Sequence, residues 1–330
     1  PTPLHIMLAA TLLQTRTLRT LVPRTTGRTL CTQSEVKVPL DLIKALRTKT
    51  KAGISDCRQS LVEAGLDLVK AEAILMSKAK GVAEKKASRL AAEGLLAAVT
   101  DTQNKKVAVV ELLCETDFAS RSPTFGEAVV KLAQKALENG YSTQEALQGA
   151  EGVKTSLEQL IFTLRENITL RRVTLVESNL MGVYMHQRVD SEMGIKADKA
   201  VNGQVLIGGK LAIIDFDLSS DNLEAAKKTS QPLVDKLAVH VLSMDPKAID
   251  KATAPEGTDV EDILMEQEFG LGGEGKTVGQ VIADMQKKVS KSNNSTVSLR
   301  AMHRFICGEG LEKKSGEDFG SEVAKLLNKD

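Results

Sequence analysis

The sequence predicts an α+β fold with antiparallel sheet, and three observations carry that expectation. Short apolar, β-branched runs recur at Leu95–Thr100, Val107–Leu113, Leu170–Val176, Met181–Met185, Val205–Asp215 and Val297–Cys307, each with the length and composition of a strand. Segments with apolar residues at helical spacing precede these runs and separate several of them. Strands and helices do not alternate strictly, as a parallel βαβ sheet demands, and no short-period repeat is present.

Taken in order, residues 1–35 stand apart. They carry Arg16, Arg19, Arg24 and Arg28, many threonines and no acid before Glu35. That is the composition of an organellar transit peptide, with an unstructured tail as the plain alternative. The expected location is the mitochondrial matrix, with the plastid as second choice. The apolar run Ile6–Leu13 is too short to span a bilayer, and no other segment is long enough, so no membrane partner is expected.

Residues 36–84 read as three short helices. Pro39 suits a first helical position, and Leu42, Ile43 and Leu46 form one face. Ser55 or Asp56 can cap a second helix that Gly65 ends, and Asp67 can cap a third carrying Leu68, Ala71 and Leu75. Lys78–Arg89 is a charged, Ala-rich helical connector. Residues 88–225 and 226–330 then read as two α+β subdomains. The first opens with a hairpin across Asp101–Lys106, followed by an amphipathic helix over Phe125–Glu138 that Gly140 stops. A helix from Thr155, with Glu158 at capping-box spacing, runs to Ile168. Gln187–Asn202 is polar and reads as a loop. Asn222–Met244 is helical with a point of interruption at Pro232, Asp245–Asp262 is loop, and Val278–Val289 is helix.

Composition narrows the function. Lys plus Arg number 44 against 43 Asp plus Glu, so the chain lacks the basic excess of a general nucleic-acid binder. Aromatic residues make up 3% and Trp is absent, which removes the stacking platforms that single-stranded nucleic acid needs. Cys31, Cys57, Cys114 and Cys307 form no C-x-x-C pair, so they suit neither a disulfide framework nor a zinc site. A reducing compartment fits them best.

No catalytic constellation emerges. Gly270-Leu-Gly-Gly-Glu-Gly-Lys-Thr277 satisfies the Walker A pattern, yet the acidic Glu261–Phe269 before it makes a poor buried strand. It reads instead as a Gly-rich linker with a helix beginning near Thr277. His5, His186, His240 and His303 lack spacing for a metal or a triad. Asp215 and Asp217 fit the end of an alternating strand better than a cation site. No cofactor is expected.

One stretch stands out. Val107-Ala-Val-Val-Glu-Leu-Leu-Cys-Glu-Thr-Asp-Phe-Ala-Ser-Arg121 begins as a strand and ends in good helix N-cap residues. Spacing alone reads Asp117 as a cap and Phe118 as a staple packed on the following helix. The stretch also resembles the Thr-Asp-Phe signature of the elongation factor Ts family. Further motifs follow in that family's order: Leu42–Cys57, Leu164-Arg-Glu-Asn-Ile-Thr-Leu-Arg-Arg-Val173, Lys276-Thr-Val-Gly-Gln280 and Arg304-Phe-Ile-Cys-Gly-Glu-Gly310.

The resemblance implies a guanine-nucleotide exchange factor for an organellar elongation factor Tu, bound as a 1:1 heterodimer. It implies that residues 36–84 form a ubiquitin-associated-like module that grips the partner through Arg47 and Ile54. Phe118 would be an apolar wedge beside the partner's nucleotide site and Asp117 its polar anchor, with Ala119 and Ser120 completing the turn. His240 would lie at the partner interface. Ile54-Ser55 departs from the two adjacent large apolar residues frequent in the family, and Gln187–Asn202 resembles an insertion. The stretch from Asp245 to Gly275 is too short for the coiled-coil arm of bacterial members, which organellar members also lack. A structural subunit of an organellar assembly and, more remotely, a P-loop NTPase are the competing expectations.

Overall fold

A computed structural model describes residues 37–101, 103, 105–188, 203–272 and 275–311. The Arg-rich segment 1–35 and most of Gln187–Asn202 lie outside these residues.

The described residues open with three helices: α1 (Leu40–Thr50), α2 (Ile54–Glu63) and α3 (Leu68–Lys86). Asp67 caps α3 as expected, accepting from the Val69 and Lys70 amides at 2.9 and 3.1 Å. Neither Ser55 nor Asp56 caps α2. Gly53 takes that position without a side-chain bond, leaving the Asp56 carboxylate to pair elsewhere. The connector read as helical at Lys78–Arg89 is helical through Lys86 and continues α3 without a break from the third helix. Ile43, Leu46, Cys57, Leu61, Ala71 and Leu75 make a small core.

Among the other described residues, six antiparallel strands organise the fold: β1 (Glu93–Thr100), β2 (Lys106–Cys114), β3 (Ile168–Glu177), β4 (Leu180–Arg188), β5 (Val205–Ser219) and β6 (Thr296–Ile306). Two sheets were expected from the sequence, and both sets of strands join in one. The order is β3-β2-β1-β5-β4, with β6 also on β5. The fifteen-residue β5 makes the join. Its first residues, Val205–Gly208, pair with β1, and Lys210–Ser219 pair with β6 on the same edge. Gly208-Gly209 sit at the changeover, where a bend without side-chain conflict is needed.

Helices cover each half separately. Short α4 (Asp117–Ser120) leads into α5 (Pro123–Asn139), α6 (Gln144–Gly149) and α7 (Val153–Leu164), and α5 and α7 pack on β1–β3 through Phe125, Val129, Ala133, Leu157 and Ile161. On β4–β6 lie α8 (Leu223–Met244) and α9 (Val278–Asn293), through Val234, Leu237, Val241, Ile282 and Met285. Between the halves, Leu96, Ala98, Val109, Met181, Leu211, Ile213 and Phe305 form a third core from strand residues alone. Successive β1 residues therefore point into different cores, which is why that strand reads as a continuous apolar run without alternation.

Two helix expectations change. Helix α7 begins at Val153 with Gly152 before it, so Thr155 and Glu158 form no capping box. The capping box lies at Thr277 and Gln280, whose side chains and amides bond reciprocally at 3.3 and 3.0 Å. Helix α8 continues through Pro232, held by its buried face on the sheet. It approaches β4 so closely that a Cβ on Gly182 would lie 2.4 Å from the Val234 carbonyl oxygen.

Candidate functional site

The site is built where β2 and β3 stop pairing. Their ladder ends at Cys114↔Ile168. One residue further, the Asn167 amide donates to Glu115 Oε1 at 2.6 Å. One further again, the Thr116 amide and hydroxyl donate to the two Glu166 oxygens at 3.0 and 2.6 Å. Two carboxylates thus replace carbonyl acceptors where the backbone ladder has run out. Charge-assisted bonds of this kind are the stronger class.

Thr116, extended at φ −130°, is the N-cap of α4, and its Oγ1 accepts from the Ala119 amide at 3.3 Å. The plain reading of the sequence is corrected here. Asp117 is the first helical residue and caps nothing, while Ser122 caps α5, accepting from the Phe125 amide at 3.3 Å. Phe118 staples nothing, for it is 83% exposed. Asp117 is exposed beside it, 3.9 Å from Arg121. Ala119 and Ser120 are buried: Ala119 enters the β1–β3 core, and the Ser120 hydroxyl donates to the Asp117 carbonyl at 2.8 Å. The turn presents two side chains outward and anchors itself with the next two.

Further back along β2 the sheet holds a buried charge cluster. Glu111 on β2 is fully buried and ion-paired with both Arg171 (3.1 Å) and Arg172. A bulge explains how consecutive arginines reach one acid. The β2–β3 register shifts between Glu111 and Leu112, so Arg171 is an extra residue on β3. Glu111 Oε1 also accepts from the Gly308 amide at 2.8 Å. Gly308 has φ +73°, and a Cβ there would lie 2.3 Å from the Ala92 carbonyl oxygen, so glycine alone fits. The Cys114 thiol, donating to the Thr116 carbonyl at 3.1 Å, is pushed up to about 12, chiefly by burial and then by Glu166. It is a packing group and no nucleophile.

The other residues singled out from the sequence lie elsewhere. Arg47 is exposed on α1 and Ile54, at 57% exposure, opens α2. Both lie on the three-helix unit, which is tied to α7. Phe162 enters its core, and Arg165 stacks over Phe162 at 4.3 Å while pairing with Asp56. His240 is only 4% exposed. Its Nε2 lies 3.0 Å from Gln267 Oε1 and its ring 5.6 Å from that of Phe269. Burial lowers its pKa, and the Gln267 bond offsets part of that. The imidazole is largely turned into the interior of the C-terminal half.

The Walker A pattern lacks its scaffold. Short 3₁₀ turns at Val260–Asp262 and Leu264–Glu266 precede it in place of a strand, and Lys276 pairs with Asp284 at 2.9 Å. Asp215 is buried against Arg300 at 2.8 Å. Burial pushes its carboxyl up, but bonds from His303 and Arg300 outweigh that and leave it low. Among the described residues no three metal-ligating side chains come together.

Sequence reasoning missed Glu111, Glu115, Glu166 and Asn167 as working residues. One signal was available for Glu111: a single acid inside an apolar strand must be paired to be buried. For the others the signal was positional, since both acids lie just past the ladder's end.

Motif segments meet at two points of one ladder: Thr116–Ser120 and Arg165–Asn167 at its end, and Arg171–Arg172 and Gly308 at Glu111 within it, while Lys276–Gln280 lies apart at the start of α9. Comparison with known proteins agrees. The family described as Elongation factor TS matches residues 115–259. Elongation factor Ts of Methylobacterium nodulans is 33% identical over 308 residues, covering 86% of this chain and 96% of the relative. Elongation factor Ts of Beijerinckia indica is 31% identical over 323 residues, covering 86% and 96%. A protein named elongation factor Ts, mitochondrial, from Heterostelium pallidum is 28% identical over 321 residues, covering 90% and 86%. By its motifs and these relatives, the chain belongs to the elongation factor Ts family.

Proposed function

We propose that this chain promotes GDP release from an organellar elongation factor Tu, bound one to one. The observation that carries the reading is Phe118: a large aromatic side chain left 83% exposed on a turn that its neighbours fix. Exposing a phenylalanine forgoes about 1.5–3 kcal/mol of burial. A rigid aromatic presented this way is the usual anchor of a protein interface. Asp117 beside it supplies an anion for a polar contact, and Ala119 and Ser120 set the turn's backbone.

Exchange needs no catalytic side chain. A factor that binds the nucleotide-free partner better than the GDP-bound one must weaken GDP by the same ratio. A 10³-fold weakening asks for about 4 kcal/mol of differential binding. Phe118 and Asp117 would provide it at the partner's nucleotide and magnesium site, while Arg47 and Ile54 provide grip that is equal in both states. His240 would then shape its helix from within. The Arg-rich residues 1–35, with no acid before Glu35, and the mitochondrial relative support a matrix location.

The test is release of a fluorescent GDP analogue from the organism's organellar elongation factor Tu. Strong acceleration by the wild type, blunted in folded Phe118→Ala and Asp117→Ala variants, is the expected result. A well-folded wild type that accelerates nothing would sink the reading. A fixed place in a multi-subunit particle would then favour the structural-subunit alternative.

A further inference from the structure

We propose that Glu166 is the positioning residue that keeps the Asp117–Phe118 turn in shape for its partner, a role that rests on the exchange reading above. Phe118 is too exposed for packing to define its direction, so the backbone of Thr116–Ala119 must do so. Every polar group of Thr116 is held. Its amide and hydroxyl donate to Glu166, its Oγ1 accepts from the Ala119 amide, and its carbonyl accepts from Cys114 Sγ at 3.1 Å and the Ser120 amide at 3.3 Å. Glu166 is the only partner of Thr116 among these that lies on another segment of the chain. Without it the hydrogen bonds of Thr116 are all local, and only the packing of Ala119 and Ser120 ties the turn to the sheet.

Glu166 is itself fixed on both sides. Arg165 before it closes α7 in the left-handed region at φ +60°, its amide bonded to the Ile161 carbonyl at 2.9 Å and its guanidinium over Phe162. Asn167 after it donates from its amide to Glu115 and from Nδ2 to the Arg89 carbonyl, both at 2.6 Å. A carboxylate held this firmly orders the turn before the partner arrives, so binding need not bear that ordering cost.

The test is a double-mutant cycle in the GDP-release assay with the full chain. Glu166→Ala is expected to lower the acceleration about 10-fold, the size of losing one charge-assisted pair of bonds. Glu166→Gln keeps volume and one acceptor oxygen, guards against a folding loss, and should lose about 3-fold. In a Phe118→Ala background Glu166→Ala should change little further, because its effect runs through Phe118. Hydrogen exchange at the Ala119 amide should quicken in Glu166→Ala without any partner. A Glu166→Ala rate within two-fold of wild type, or an effect that adds in full to that of Phe118→Ala, overturns the positioning role alone. A Phe118→Ala variant as fast as wild type overturns the wedge and the positioning role with it, whereas a well-folded wild type that accelerates nothing overturns the exchange reading itself.

Discussion

Two motif-bearing turns, one in each half of the molecule, carry a phenylalanine apiece and treat it oppositely. The Thr116–Ser120 turn leaves a buried strand, is clamped by Glu166, and sends Phe118 into solvent. The segment ahead of Thr277 leaves two 3₁₀ turns, and Phe269 is 2% exposed against His240. Its lysine, which the Walker A pattern would aim at phosphate, faces Asp284 instead. The second turn matches its consensus letter for letter and has none of the scaffold, while the first has a shorter signature and all of it. A motif is a statement about what feeds and fastens a loop as much as about its letters.

The comparison can be broken in order of effect. Phe269→Ala removes a buried ring and should cost about 3–5 kcal/mol in chemical denaturation, whereas Phe118→Ala should move stability by no more than about 0.5 kcal/mol. If both destabilise equally, the two rings are both structural and the contrast fails. In GDP release the ranking reverses. Phe118→Ala should lose about 30-fold or more, as interface anchors do.

A smaller effect concerns His240. Its folded pKa is lowered, so as pH falls below the ordinary imidazole value of 6.5 the unfolded chain gains a proton that the folded chain resists. Stability should decline from about pH 7 to pH 5, and His240→Gln should flatten that part of the profile. An unchanged profile would mean the ring is not held neutral. Smallest of all, Lys276→Ala should leave nucleotide binding by the isolated chain at its background level and stability within about 0.5 kcal/mol. Measurable binding lost in that variant would revive the P-loop.

Most strands and helices were legible because they follow period and length, and Asp67 announced its cap. What failed did so for physical reasons. Asp56 looked like a cap but is drawn to Arg165. Thr155 and Glu158 had the right spacing, yet α7 starts earlier at Val153. Pro232 was weighed by propensity, and packing overrode it. The join of two expected sheets through β5 is a long-range pairing that no local pattern reports. At the site, Phe118 was legible through the family signature, while spacing alone pointed inward. Its clamp was not, because Glu166 lies 50 residues from Thr116 in sequence. Likewise, the pairing of Arg171 and Arg172 with one acid depends on a bulge that only the register reveals.

The run Arg165-Glu166-Asn167 has one more consequence. Arg165 grips Asp56 on the helix that Ile54 opens, and Glu166 grips the turn that carries Phe118. In the exchange reading, the two contact surfaces are therefore spaced by a strut and not by a tether. Once one is seated, the other meets the partner at a fixed distance, as an intramolecular event at high effective concentration. Neither contact has to be tight alone. For a factor that must let go when nucleotide returns, this matters, since two modest contacts can be released one after the other.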